Sequence, residues 1–226
     1  MNTEATEPTA RKQAVWDLPT RLFHWTLVAL IGLSWWSAEE GELDLHLWLG
    51  MAVLSLLIFR LLWGLFGSST ARFASFVRGP RAVLDYMRGK WTGIGHSPLG
   101  ALSVIALLAL VGFQAGLGLF SSDEDGLMTG PLANAISLGL SERITDLHGD
   151  LFDVLLVLIG IHVAAVIFYL IVKRRNLVWP MVTGKAALDP GTQPMRAGKW
   201  WAALLCLVAA IAITRWLIAG APPFGG

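Results

Sequence analysis

The sequence has a single cysteine, Cys206, among its 226 residues. One thiol excludes an intramolecular disulfide, a zinc site built from several cysteines and a cysteine-ligated iron–sulfur cluster. The CxxCH motif of covalent c-type haem attachment does not occur either. Any metal centre in this chain must therefore draw its protein ligands from other side chains.

Charge is also scarce, since Asp, Glu, Lys and Arg make up 15% of the chain and hydrophobic residues 55%. A soluble domain has about 25% charged residues and about 45–50% apolar ones. The composition is typical of a membrane protein and gives no indication of a nucleic-acid partner. Residues 1–20 lack the apolar run of a cleavable signal peptide, so the first span is expected to be an uncleaved anchor.

Five apolar segments approach the ~20 residues that an α-helix needs to cross ~30 Å of hydrocarbon. We call them spans 1 to 5, and we predict them at about residues 19–37, 43–66, 98–120, 147–171 and 199–220. Most of the 11 Trp residues fall near span ends, as interfacial anchors do. The sequence therefore predicts an all-α integral membrane protein with its termini on opposite sides.

The distribution of basic residues predicts the orientation. The N-terminal segment, the loop between spans 2 and 3 and the loop between spans 4 and 5 hold fourteen of the 17 Lys and Arg residues. Because such an excess marks the cytoplasmic side, we expect a cytoplasmic N-terminus and a periplasmic C-terminus in a bacterial inner membrane. The opposite face is acidic, with Glu39, Glu40, Glu42, Asp44, Asp123, Glu124, Asp125, Glu142 and Asp146.

Four of the five histidines lie in spans or at their ends. His148 and His162 are fourteen residues apart in span 4, which is close to four helical turns, so they share one face ~21 Å apart. Since successive spans alternate in direction, His46 lies at the depth of His148 and His24 at the depth of His162. A lone membrane histidine commonly hydrogen-bonds a neighbouring helix, but depth-matched pairs indicate a functional site.

The two pairs predict haem. Zinc prefers four close ligands, whereas each pair offers two. A haem supplies four equatorial nitrogens and needs only two axial ligands. The sequence thus predicts two haem b groups, an outer one ligated by His46 and His148 and a cytoplasmic one ligated by His24 and His162.

Two arginines are candidates for contact with the haem propionates. Arg60 is fourteen residues after His46, and Arg21 is three residues before His24. The alternative is that both side chains extend to the cytoplasmic interface. His96, where the loop enters span 3, is expected to be a non-ligand. It could contact a propionate or a quinone headgroup, or only cap the interface.

These motifs resemble a known family, the bacterial cytochrome b561 group, which includes the b-type subunits of membrane nickel–iron hydrogenases. The matching stretches are VWDLPTRLFHW (15–25), LHLWLGMAVLSLLIFRLLWG (45–64), GHSPLGALSVIALLAL (95–110), LHGDLF (147–152) and GIHVAAVIFYL (160–170). The resemblance covers about residues 14–185 and implies a four-helix transmembrane bundle that holds two haem b groups on the same four histidines. Residues 1–13 would form a polar tail, and residues 186–226 a linker, a fifth transmembrane helix and a short tail.

The resemblance implies transmembrane electron transfer between the membrane quinone pool and a periplasmic redox partner such as a c-type cytochrome. Such a protein can act as a quinone or quinol oxidoreductase, and a homodimer is compatible with it. Two alternatives remain in this class: a membrane-anchor subunit of a hydrogenase-like oxidoreductase, and a superoxide:quinone oxidoreductase. A His-lined transporter is a different class, which the scarcity of other polar residues in the spans disfavours.

Overall fold

The computed structural model describes residues 11–91, 93–122, 126, 129–188 and 192–222. Most of the predicted N-terminal tail lies outside this range, as do Asp123, Glu124 and Asp125 of the acidic face and the last four residues. The described part of the chain is mostly helical.

Five long helices dominate the structure. They are α1 (Leu18–Glu39), α2 (Leu43–Phe66), α5 (Pro98–Gly118), α6 (Leu138–Ile171) and α8 (Trp200–Ile218). The short elements are β1 (Arg11–Ala14), α3 (Phe73–Phe76), α4 (Pro80–Met87), a 3₁₀ turn (Ala133–Ala135), α7 (Val178–Thr183) and β2 (Lys185–Leu188).

Four helices in the described part of the chain are long and apolar enough to cross a membrane, namely α2, α5, α6 and α8. Their presence agrees with a membrane bundle. Helix α1 has 22 residues, but Arg21, His24 and several indole side chains make it less apolar. A crossing by span 1 therefore stays a prediction.

Helix α6 begins nine residues before the predicted start of span 4. Its first turns carry Glu142, Arg143 and Asp146, and these charges kept the segment out of an apolar window. The helix then continues without a break to Ile171, so His148 and His162 lie on the same helix.

Side-chain caps fix where two of the long helices begin. The Asp17 carboxylate accepts a hydrogen bond from the backbone N–H of Thr20 at 2.6 Å, which caps α1. The Ser97 hydroxyl accepts one from the N–H of Gly100 at 3.1 Å, which caps α5. Both caps bond free amides in the first helical turn.

Helix α2 is the centre of the bundle and packs against α1, α5 and α8, while α6 packs against α5. One apolar core joins Phe59 and Trp63 of α2 to Cys206 and Ala210 of α8. A second core joins α2, α5 and α6 through Val53, Leu57, Val111 and Leu155. Helix α8 is thus packed into the bundle through α2.

A small antiparallel sheet ties the N-terminal segment to the chain that follows α7. Strand β1 pairs with β2 so that Arg11 faces Leu188 and Ala14 faces Lys185. The sequence analysis did not predict this pairing, since four residues are too few for a period-2 pattern to stand out.

Candidate functional site

His46 and His148 face each other from two different helices. Their ring centroids are 6.0 Å apart, and the ring planes are almost perpendicular at 87°. His46 lies in the first turn of α2, and His148 lies near the end of the first third of α6. The structure therefore brings together the two residues that the depth argument paired, and we call this end of the bundle the His46 end.

Both rings are held by hydrogen bonds from Nδ1 to a backbone carbonyl. The His46 Nδ1 donates to the Ser34 carbonyl of α1 at 2.8 Å, and the Ser34 hydroxyl lies 3.2 Å away. The His148 Nδ1 donates to the Gln114 carbonyl of α5 at 3.0 Å, and the Gln114 amide donates back to the His148 carbonyl at 2.7 Å. A carbonyl only accepts, so each Nδ1 carries the proton and each Nε2 is the free ligand atom.

The spacing of the two rings fits axial ligation of one metal. An imidazole nitrogen binds a first-row transition metal at about 2 Å and lies about 1 Å from its ring centroid. Two such ligands on opposite sides therefore place their centroids about 6 Å apart, and the observed distance is 6.0 Å. Among the described residues, no group of three or more His, Cys, Asp or Glu is placed to hold a bare ion. The pair suits a metal that brings its own equatorial ligands.

A cavity of about 480 Å³ surrounds this pair and is lined mainly by apolar side chains. Pockets that hold cofactors commonly have about 300–1,000 Å³. Gly50 and Gly149 line it, and a Cβ at either position would meet no atom within 4 Å. The space at Gly118 is smaller, because a Cβ there would lie 3.3 Å from Cε1 of His148. The cavity and its donors fit a flat, largely apolar macrocycle.

His24 and His162 are the second predicted pair. They lie close enough for a charge on one ring to act on the other. The His24 ring contacts Trp25 edge to face at 4.9 Å, and its Nδ1 is buried with no hydrogen-bond partner in the described part of the chain. We call this the His24 end. Within the described ranges, its rings form no hydrogen bond to a backbone carbonyl of the kind that fixes His46 and His148.

Buried side-chain nitrogens that have no hydrogen-bond partner among the described residues gather at the His24 end. They include Nη1 of Arg60, Nε of Arg21 and Nδ1 of His96. Arg60 is 2% exposed, and its guanidinium stacks 4.7 Å from the Phe73 ring centroid. Arg21 uses one donor on the carbonyl of Val182. An unpaired buried donor costs about 1–3 kcal/mol, and haem propionates are carboxylates of the kind that arginine binds.

His96 lies in an aromatic pocket, with the Trp16 ring at 4.6 Å and the Phe76 ring at 4.4 Å. Burial, with the positive charges of Arg60 and His24 as smaller causes, lowers the pKa of His96 to about 3. The ring is therefore neutral at physiological pH. That it does not ligate a metal stays a prediction.

Asp17 is a site residue that the sequence reasoning missed. Its carboxylate caps α1 and also accepts a hydrogen bond from the Trp63 indole N–H at 3.1 Å. Its negative charge acts on the buried Arg60. The DLP stretch before span 1 is a helix-start signature and could have identified the cap. No sequence signal marks Ser34 or Gln114, since their backbone carbonyls are what hold the histidines.

The model of one protein family, prokaryotic cytochrome b561, matches residues 15–184. This range contains the four histidines of the two ends and both arginines of the His24 end. No curated protein and no solved structure matches the chain. The family match covers most of the chain, and the apolar helices agree with it. The chain therefore belongs to the prokaryotic cytochrome b561 family, multi-pass membrane proteins that carry haem b and transfer electrons across the membrane.

Proposed function

We propose that the protein carries electrons between the membrane quinone pool and a redox protein at the His46 end, through two haem b groups. His46 and His148 hold one haem, and His24 and His162 hold the other. The observation that carries the proposal is the facing pair at the His46 end, with rings 6.0 Å apart and both Nδ1 atoms bonded to carbonyls.

Haem supplies a one-electron ferrous–ferric couple, and the protein sets its potential and its surroundings. Helix α6 carries one ligand of each site, and fourteen residues at ~1.5 Å each separate His148 from His162 by ~21 Å. The apolar core of Val53, Leu57 and Leu155 packs within the same helices. The chain's contribution is to fix two ligand pairs on rigid helices and to exclude water between them.

The charges at the two ends support this orientation of the protein in the membrane. Exposed acidic residues lie where α1 ends and α2 begins, at the His46 end, and these are Glu39, Glu40, Glu42 and Asp44. A basic electron carrier such as a c-type cytochrome would be steered to such a surface. Most of the basic residues lie at the His24 end, which we place at the cytoplasmic face of the bacterial inner membrane. Quinone is the proposed partner within the bilayer.

Electron transfer in proteoliposomes tests the proposal. With a quinol in the membrane and ferric cytochrome c at the His46 face, we expect cytochrome c to be reduced, and more slowly as salt rises. His148→Ala and His162→Ala should each abolish the transfer, whereas the matched variant His96→Gln should keep it. Transfer that survives in both ligand variants would refute the two-haem route. A rate that does not depend on salt would refute the steering by the acidic surface and leave the two-haem route standing.

A further inference from the structure

A second cavity, of about 600 Å³, lies between the end of α2 and the start of α8. It is separate from the cavity around His46 and His148, and none of the four histidines lines it. Its place at the His24 end sets it at the level where both helices reach the membrane surface.

The mouth of this cavity is basic. Arg72, Arg196 and Lys199 line it, and all three are exposed. Within the described part of the chain none of them forms an ion pair, and the Lys199 ammonium rests 5.3 Å from the Trp201 ring centroid. Three cations thus line one cavity with no acidic partner among the described residues.

The interior of the cavity is apolar and follows the groove between the two helices. Leu62 and Phe66 of α2 form one wall, and Leu205 and Ala209 of α8 form the other. Ten residues separate Lys199 from Ala209, which is ~15 Å of helix, equal to half of a ~30 Å hydrocarbon layer. The groove therefore has the depth of one membrane leaflet.

Specific contacts hold the mouth in shape. The Ser69 backbone N–H donates to the Arg196 carbonyl at 3.0 Å, and the Arg196 N–H donates to the Ser69 hydroxyl at 2.9 Å. A Cβ on Gly198 would lie 2.6 Å from Cη2 of Trp63, so only glycine allows this close approach. The segment that carries Arg196 and Lys199 is fastened to the end of α2.

We propose that this cavity binds one anionic phospholipid, with its phosphate at Arg72, Arg196 and Lys199 and an acyl chain in the α2–α8 groove. Arginine pairs well with phosphate, and basic pockets between membrane helices suit anionic headgroups. A free phosphate would leave the groove empty of apolar contacts, and a neutral quinone would leave the three cations unpaired. The proposal does not depend on haem, and it gives α8 a function.

Native mass spectrometry of the delipidated full-length protein tests the charged mouth. The protein is titrated with phosphatidylglycerol and with phosphatidylcholine of the same acyl chains. Each cation near an anionic lipid contributes about fivefold in affinity, so the three give a preference of up to about a hundredfold for phosphatidylglycerol. The triple variant Arg72→Gln, Arg196→Gln, Lys199→Gln should lose it.

The matched control removes three charges elsewhere at the same end, through Arg81→Gln, Arg88→Gln and Lys90→Gln. It should keep the preference. An equal loss in the control would overturn the proposal, because general surface charge would then explain the result. A far-ultraviolet circular dichroism spectrum of each variant verifies that the helices are intact.

A second pair of variants tests the groove with all charges present. Ala209→Phe fills the groove and should weaken phosphatidylglycerol binding at least tenfold, whereas Val208→Phe, outside the cavity lining, should not. Unchanged binding in Ala209→Phe would overturn the proposal. Displacement of the lipid by millimolar inorganic phosphate, or by a short-chain quinone, would also overturn it in favour of that ligand.

Discussion

Replacement of Asp17 separates three contributions of one buried carboxylate. One oxygen caps α1 through the Thr20 N–H at 2.6 Å, and the other accepts from the Trp63 indole at 3.1 Å. The negative charge also lies near Arg60, which is 2% exposed. Asp17→Ala removes all three, whereas Asp17→Asn keeps an oxygen acceptor and removes the charge.

The expected loss follows from these contacts. Removing an N-cap costs about 1 kcal/mol, and leaving the buried indole N–H unpaired costs about 1–3 kcal/mol. Asp17→Ala should therefore destabilise the protein by about 2–4 kcal/mol, and Asp17→Asn by less. At this chain length 1 kcal/mol is worth about 2–4 °C, so we expect Asp17→Ala to lower the apparent Tm by roughly 5–15 °C.

Thermal unfolding in detergent, followed by circular dichroism, measures this difference. Ser97→Ala is the matched control, because it removes only the cap of α5 and should lower the Tm by about 2–4 °C. Asp17→Ala with no larger effect than Ser97→Ala would refute the role of the indole bond. Equal effects of Asp17→Ala and Asp17→Asn would show that charge alone matters.

Three further substitutions test close contacts and hydrogen bonds. Gly118→Val should displace the adjacent His148 ring and lose the haem at the His46 end. The control Gly112→Val has open space around its Cβ and should keep both haems. Equal haem content in the two variants would contradict the contact. Gln114→Leu should keep both haems, since the carbonyl that holds the ring remains, and should lower stability by about 1 kcal/mol in thermal unfolding. Gly198→Ala should lower the apparent Tm, because its Cβ would lie 2.6 Å from an indole carbon, and an unchanged Tm would refute that close packing.

Much of the helical structure is predictable from the sequence. Apolar windows located α2, α5 and α8 to within a few residues, because membrane helices must be long and apolar. Helix α6 begins nine residues before span 4, since Glu142 and Asp146 continue the same helix outside the apolar window. Hydropathy detects the part of a helix that suits lipid and does not detect where its hydrogen bonds begin.

Helical geometry was enough to predict which histidines pair, but not the groups that orient their rings. The depth argument paired His46 with His148, and the structure places their rings 6.0 Å apart. The carbonyls of Ser34 and Gln114 that orient the rings were not predictable, because every residue has a carbonyl and only packing selects one. The link between Asp17 and Trp63 likewise depends on how α1 meets α2.

The most direct test of the central claim is an optical spectrum of the purified protein, oxidised and dithionite-reduced, with its haem quantified. We expect two haem b per chain, and one in each of the variants His148→Ala and His162→Ala, because each variant removes a ligand of a different site. A colourless wild-type protein, or a His162→Ala variant that retains both haems, would contradict the account.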